Sequence, residues 1–369
     1  MKIGFDAKRA FLNRSGLGNY SRDVIRSLHR YYPENQYVLF TPEKETVLLE
    51  EKYRQNVVYP NTITKIGKAR WRSLKMGEEI KNQKIDIFHG LSNELPININ
   101  IASAKKVVTI HDLIFIKYPQ LYNFIDRKIY YRKFYDACKS ADRIIATSEQ
   151  TKIDIINYFK IKENKIDVIY QACSDIYTKE ISKEKIEAVR KTYNLPNNYI
   201  LTVGTIERRK NVLNVLKAIY FFNLDVNYVV VGKQTAYCKE IIAYAKEHNM
   251  TDRLFIREKV TNDDMPAIYR MADMFVYPSI YEGFGIPILE AFHSEVPVIT
   301  GDKSSTAEIA GDAAIQVDVL NPKSIGIAIK SVIESDEIKK HLINCGKIKV
   351  EQFDREKLSG SLIDLYKKL

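Results

Sequence analysis

Along the chain, short apolar runs rich in β-branched and aromatic residues alternate with longer stretches of helical spacing. In the first half the strand-like runs are Lys2–Phe5, Tyr37–Phe40, Ile85–His89, Lys106–Ile110, Arg143–Thr147 and Ile166–Tyr170. Helical patterns such as Gly18–Tyr32 and Phe124–Ala141 separate them. In the second half the runs are Tyr199–Val203, Tyr228–Val231, Leu254–Ile256, Met274–Tyr277, Val296–Thr300 and Ala314–Val317. Helical patterns near 211–223, 235–248, 263–272 and 286–294 lie between these. Strands alternating with helices predict parallel sheets covered by helices on both faces. Two such series predict an α/β chain of two Rossmann-like domains.

A length of 369 residues agrees with two domains. The charged helical pattern Ser182–Tyr193 is broken by Leu195-Pro196-Asn197-Asn198 just before the next strand. The expected division is 1–178, 179–354 and a last helix, 355–369. That helix carries Leu358, Leu362, Leu365 and Leu369 and can pack back on the first domain.

Hydrophobic residues make up 45% and charged residues 28%, a soluble globular composition. No apolar run approaches the roughly 18 residues of a membrane span. The start, Met1-Lys2-Ile3-Gly4-Phe5-Asp6, lacks a signal-peptide core, so a cytoplasmic location is expected. The cysteines Cys138, Cys173, Cys238 and Cys345 form no CxxC pair, which argues against a zinc site or a disulfide framework. Residues 1–175 hold 30 Lys and Arg against 20 Asp and Glu, and the remainder is nearly neutral. A basic first half implies an anionic partner. Two stretches, Lys65–Lys75 with the single Trp71 and Arg127–Tyr135, interleave cations with aromatics. That suits an anionic membrane surface, hence a peripheral position on its inner face. The alternative is a solvated helix face with its aromatics packed inward. Nucleic acid is not expected, because no binding motif accompanies the charge.

The richest segment is Glu282-Gly283-Phe284-Gly285-Ile286-Pro287-Ile288-Leu289-Glu290. It reads as a glycine loop entering a helix, with Pro287 in the first turn. Free N–H groups at such a start attract phosphate. Glu290, among apolar neighbours, needs a hydrogen-bonding partner such as a sugar diol. Upstream, Gly204-Thr205-Ile206-Glu207-Arg208-Arg209-Lys210-Asn211 closes a strand with three cations, and Asn211 is placed to cap the next helix. In open α/β sheets ligands bind at the carboxyl ends of strands, so this loop should hold a diphosphate. No Asp-x-Asp triplet is present to carry a metal, leaving Arg209 and Lys210 to stabilise the leaving charge. Gly16-Leu17-Gly18 opens a helix but misses the third glycine of the dinucleotide fingerprint. A nicotinamide or flavin cofactor is therefore not expected. His111-Asp112 ends a strand and should point into the ligand crevice, and His89-Gly90 is a weaker version of that pattern.

Together these segments resemble the retaining glycosyltransferases of family 4, which share the two-domain GT-B architecture with its central cleft. Ser304–Ala314 fits the same family. The resemblance implies that the second domain binds a nucleotide-sugar and the first a glycan or lipid-linked acceptor. It implies that Glu290 takes the ribose hydroxyls, while Glu282, Gly283, Phe284 and Gly285 hold the donor sugar and phosphate. Arg209 and Lys210 would neutralise the diphosphate, Gly204, Gly16 and Gly18 would line the donor, and His111 would lie near the transferred hexose. Where many relatives have an arginine after the first glycine, this chain has Thr205, and Arg208 or Arg209 must replace it. Ala307 stands where relatives often have proline. The Gly-Thr-x-Glu-x-Arg-Lys-Asn form resembles bacterial mannosyl- and rhamnosyltransferases of surface-polysaccharide synthesis. That favours GDP-mannose over UDP-sugars, without a metal or other cofactor. The competing readings are an epimerase or phosphorylase of the same fold, or a noncatalytic basic binding protein.

Overall fold

Parallel strands buried on both faces need near-continuous apolar sequence, and the runs listed above become such strands. A computed structural model describes residues 1–44 and 48–369. It divides them into two units, Met1–Ala172 with Asp354–Leu369, and Cys173–Phe353. The division falls after Ala172, not at 178, because Tyr177 and Lys179 are held by the second unit. The Tyr177 ring meets Tyr269 at 5.6 Å, and the Lys179 carbonyl accepts from Arg270 at 3.0 Å.

The first unit contains β1 (Lys2–Asp6), β2 (Gln36–Phe40), β3 (Val57–Val58), β4 (Ile87–Gly90), β5 (Lys105–Ile110), β6 (Arg143–Ala146) and β7 (Ile166–Val168). They form one sheet in the order β3-β2-β1-β4-β5-β6-β7, with every pairing parallel. Only β3 was not anticipated, since two residues at a sheet edge leave no periodic signal. The second unit contains β8 (Tyr199–Val203), β9 (Asn227–Val231), β10 (Leu254–Arg257), β11 (Met274–Tyr277), β12 (Val298–Gly301) and β13 (Ala314–Val317). Its order is β10-β9-β8-β11-β12-β13, again all parallel. In each sheet the chain runs outward from its first strand and then returns to that strand's other side. The switch points therefore lie between β1 and β4, and between β8 and β11. Ligand crevices form beyond the carboxyl ends of such strand pairs.

The last helix, Arg355–Lys367, belongs to the first unit. Asp354 caps it by accepting from the Lys357 N–H at 2.9 Å, and Arg355 pairs with Asp23 at 2.6 Å. Leu362, Ile363, Leu365 and Tyr366 are buried in the core with Ile3, Phe5, Ile25 and Leu28. Tyr366 also anchors a buried polar chain. Its hydroxyl meets His89 Nδ1 at 2.6 Å, His89 Nε2 meets Thr109 Oγ1 at 2.8 Å, and Thr109 Oγ1 meets the Tyr20 hydroxyl at 3.1 Å. Burial lowers the His89 pKa to about 3, and nearby His111 adds to the shift. The ring is neutral, so one nitrogen donates and the other accepts. His89 is thus a structural residue that ties β4 to the final helix. Replacing Tyr366 by Phe leaves a buried ring nitrogen without its partner. Equilibrium denaturation should show a loss of about 1–3 kcal/mol, and no loss would mean the chain carries no stability.

Candidate active site

The second switch point is built from the loop after β8 and the loop after β11. A short 3-10 turn, Arg208–Lys210, follows Gly204, and Asn211 adopts φ 57°. Asn211 does not cap the following helix as expected. Its side-chain amide instead donates to the Val319 carbonyl at 2.6 Å, which pins the turn to the unit's core. The turn directs Arg208 outward, where it pairs with Glu240 at 2.5 Å and lies over the Tyr237 ring. Arg209 and Lys210 turn inward. Lys210 Nζ lies 2.5 Å from Glu282 Oε1 and donates to the Tyr277 hydroxyl at 2.8 Å. Arg209 reaches the same Glu282 oxygen at 2.8 Å, pairs with Glu207 at 2.7 Å and donates to the Tyr281 carbonyl at 2.5 Å.

The two cations are therefore paired within the protein, a contact that the sequence does not announce. Both share one carboxylate, and all three side chains are about 11% exposed. Burial alone would raise the Glu282 pKa, but Arg209 and Lys210 outweigh it and bring it down to about 2. Burial pulls Lys210 below its ordinary value, opposed by Glu282 and reinforced by Arg209. With Glu207, the cluster is two cations and two carboxylates, hence neutral before any ligand arrives. Gly204 is required here on two counts. Its φ is +140°, and an added Cβ would lie 3.1 Å from Lys210 Cε. Gly232 is as constrained, because a Cβ there would fall 1.8 Å from the Gly204 carbonyl oxygen. Sequence reading missed Gly232, which lies outside any motif and acts by packing across two strands.

The loop Glu282–Gly285 is buried and ends at Gly285, with φ +122°, before the helix Ile286–His293. Pro287 occupies its first turn, as predicted. Ser305 Oγ donates to the Glu282 carbonyl at 2.8 Å, and Phe284 packs edge-on against Phe353 with ring centroids 6.0 Å apart. Glu290 is partly exposed, and the Tyr269 hydroxyl donates to it at 2.7 Å. Burial raises the Glu290 pKa, against hydrogen bonds from Tyr269 and Tyr177. Neither tyrosine was singled out from sequence, because an aromatic at helical spacing reads as core. Among the described residues, no group of three or more His, Cys, Asp or Glu is arranged to hold a metal.

The remaining candidates belong to the first unit. His111 is buried, with ring Nε2 2.9 Å from the Leu91 carbonyl and its backbone N–H donating to Asn93 Oδ1 at 2.7 Å. The Tyr20 ring meets it edge-on at 4.6 Å. A carbonyl only accepts, so Nε2 carries the proton and Nδ1 is an acceptor. Burial lowers the His111 pKa to about 4, with the Leu91 contact opposing, so the ring is neutral near pH 7. Asp112 accepts from the Ile114 N–H at 3.1 Å, closing the local turn after the strand. The glycines of the first loop differ in purpose. A Cβ on Gly18 would sit 1.9 Å from the Asn13 carbonyl oxygen, so Gly18 is a packing glycine. Gly16 has nothing within 4 Å and leaves its side open. The basic stretches also divide. Trp71 and Phe134 are buried, whereas Phe124, Ile125, Ile129, Lys128 and Arg132 are exposed.

Two family models match successive parts of the chain. The one described as Glycosyltransferase Family 4 covers residues 14–173, and the one described as Glycosyl transferases group 1 covers 183–349. With two parallel-sheet Rossmann-like units, these define a glycosyltransferase of GT-B architecture. The chain carries these two glycosyltransferase domains in succession. It is 29% identical over 295 residues to the O-antigen chain mannosyltransferase B of Escherichia coli, covering 79% of this chain and 76% of that protein. It is 29% identical over 230 residues to the O-antigen chain mannosyltransferase RfbU of Salmonella typhimurium, covering 62% and 60%. A 28% identical match to the Escherichia coli serotype-specific mannosyltransferase WbdA spans 62% of this chain but only 29% of that longer protein. Among solved structures, Anabaena HepE in complex with UDP and glucose matches with a TM-score of 0.78 at 17% identity, over all of both chains. WaaG, a glycosyltransferase of lipopolysaccharide biosynthesis, matches at 0.72 and 14% identity, over 99% of each.

Removing one member of the buried ion cluster should be worse than removing two. Glu282→Leu leaves two buried cations without their shared partner and should cost about 3–5 kcal/mol. Adding Lys210→Met should recover part of that loss, giving a coupling energy of about 0.5–3 kcal/mol in a double-mutant cycle. Additive losses in urea denaturation would show that the pair is not coupled.

Proposed function

We propose that this glycosyltransferase moves a hexose, mannose in our reading, from GDP-mannose to a glycan or lipid-linked acceptor. Transfer retains the anomeric configuration and uses no metal. The observation that carries this reading is the Arg209–Glu282–Lys210 cluster at a switch point, beside a glycine loop and a helix start. The helix N–H groups and the two cations receive the diphosphate, and Glu290 accepts from the ribose hydroxyls. Tyr269 and Tyr177 orient that carboxylate. Glu282 exchanges part of its contact with the cations for a hydroxyl of the donor sugar. As the bond from the anomeric carbon to phosphate oxygen breaks, charge grows on the diphosphate under Arg209 and Lys210. The acceptor oxygen bonds to the anomeric carbon on the same face and passes its proton to the departing phosphate oxygen. No protein nucleophile is needed, so the chain supplies position and charge. In the first unit, His111 keeps its neutral Nδ1 as an acceptor for a sugar hydroxyl. The mannosyltransferase relatives support mannose, and the absence of an Asp-x-Asp triplet supports metal independence.

A thermal-shift panel of UDP, GDP and ADP, with their sugars and with or without Mg²⁺, tests the donor. A ligand at 100 times its Kd adds about 2.7 kcal/mol to native stability. A GDP-selective shift that persists without Mg²⁺ is expected. A UDP-selective shift, or a strict need for Mg²⁺, would sink this part of the reading. In a sugar-transfer assay Lys210→Ala and Arg209→Ala should each lower kcat by about 100- to 1,000-fold, with the product's anomeric proton unchanged by NMR.

The acceptor side is proposed to work at an anionic membrane surface. The helix Phe124–Ser140 carries the exposed Phe124, Ile125 and Ile129 beside Lys128 and Arg132, apolar anchors flanked by cations. Flotation with phosphatidylglycerol vesicles should carry the protein upward, and Ile125→Glu with Lys128→Glu should release it. Flotation unaffected by those changes would place the contact elsewhere.

A further inference from the structure

The second sheet carries its site at its switch point, and the first sheet has a cavity of about 260 Å³ at the equivalent place. Asp6 ends β1 and Glu94 follows β4, so both carboxylates lie beyond the carboxyl ends of the two switch-point strands. Between them sits Arg72. Its Nε and one terminal nitrogen donate to Asp6 Oδ2 at 2.9 and 2.6 Å, and the other terminal nitrogen donates to Glu94 Oε2 at 2.7 Å. Lys133 reaches that same Glu94 oxygen at 3.3 Å. Burial would raise the Glu94 pKa, yet Arg72 and Lys133 hold it below the ordinary value.

The wall that supplies Arg72 is unusual. Trp71–Lys75 is a π-helical turn inserted between the α-helical stretches Lys65–Arg70 and Met76–Asn82. Such insertions recur at functional sites. The turn buries Trp71 and sends Arg72 into the cluster. It is tied to the opposite wall by the Ile97 N–H, which donates to the Ser73 carbonyl at 2.8 Å. Pro96 and Ile97 give that wall an apolar shelf. Arg132 and Asp136 stand at the rim, paired at 2.6 Å.

We propose that this cavity binds one sugar ring of the acceptor. The inference rests on the glycosyltransferase reading and adds a place and a chemistry to it. Sugar hydroxyls both donate and accept, and the cavity offers acceptors on Asp6 and Glu94 with donors on Arg72 and Lys133. Both cations bind Glu94 through Oε2, which leaves Oε1 for a ligand hydroxyl. The Pro96–Ile97 shelf suits the apolar face of a ring. A phosphate is a poorer match, since its negative charge would face three carboxylates, Asp6, Glu94 and Asp136. The volume lies just under the roughly 300–1,000 Å³ of drug-sized sites, which fits a single ring and excludes a nucleotide.

The test is saturation-transfer NMR on the full chain with methyl mannoside, glucoside and galactoside, and with GDP binding measured in parallel. At least one methyl glycoside should give a signal with the wild type. Ser140→Trp, which narrows the cavity from the end of the Phe124–Ser140 helix, should abolish it. Glu94→Gln, which keeps the side chain's shape, should weaken binding by about tenfold or more. GDP binding should be unchanged in both variants. Three results overturn the proposal: no glycoside signal from a protein that binds GDP, glycoside binding unaffected by Ser140→Trp, or displacement of the glycoside by inorganic phosphate. Glycoside binding without GDP binding would instead remove the donor reading and leave the cavity assignment standing.

Discussion

In the second unit a single buried carboxylate has to remain charged, and most of the surrounding geometry follows from that requirement. Burial disfavours an ionised Glu282, so the fold brings Arg209 and Lys210 onto the same oxygen. For Lys210 to pass inward, Gly204 must lack a side chain, and for Gly204 to sit where it does, Gly232 must lack one too. Tyr277, at the end of β11, completes the Lys210 ammonium's contacts. Pairing holds the cations in place, and in the proposed reaction a donor diphosphate and sugar take over part of their contacts.

The two sheets share their charges in opposite ways, although each cluster balances two cations against two carboxylates. At the second switch point one carboxylate is shared by two cations. At the first, one cation, Arg72, is shared by two carboxylates. In the proposed reaction the cluster of the second unit meets its ligand through cations, and that of the first unit through carboxylate oxygens. That difference in chemistry parallels the division between a nucleotide-sugar donor and a saccharide acceptor proposed for this chain. His111 belongs to neither cluster. It is buried and neutral, oriented by the Leu91 carbonyl and the edge of Tyr20. Tyr20 in turn joins the chain that runs through Thr109 and His89 to Tyr366 in the last helix.

Much of the fold was legible because its signals are local. Buried parallel strands need uninterrupted apolar runs, and every one of them except the two-residue β3 announced itself that way. The glycine loop, Pro287 and the cation-rich loop after β8 were legible too, since backbone freedom and charge are properties of single residues. What those cations touch was not legible. Arg208, Arg209 and Lys210 are chemically alike in the sequence, and only the 3-10 turn and the αL conformation of Asn211 decide which of them face inward. Gly18 read as a ligand-contact residue and is held by packing on Asn13. Trp71 packs inward, one of the two readings open for its basic stretch, but the π-helical turn also carries Arg72 inward, which the sequence did not suggest.

The sequence alone determined the class of protein: two parallel α/β units, the order of their motifs and a glycine loop at a helix start. Tertiary structure alone decided the pairing of charges, the tyrosines on Glu290, the neutral state of His111 and His89, and the cavity beside Arg72. The physical reason is distance along the chain. Local backbone preferences act over a few residues, whereas Lys210 and Glu282, or Asp6 and Arg72, become neighbours only when strands far apart in sequence are laid side by side. An ionisable group's state depends on those neighbours and on the water that they exclude.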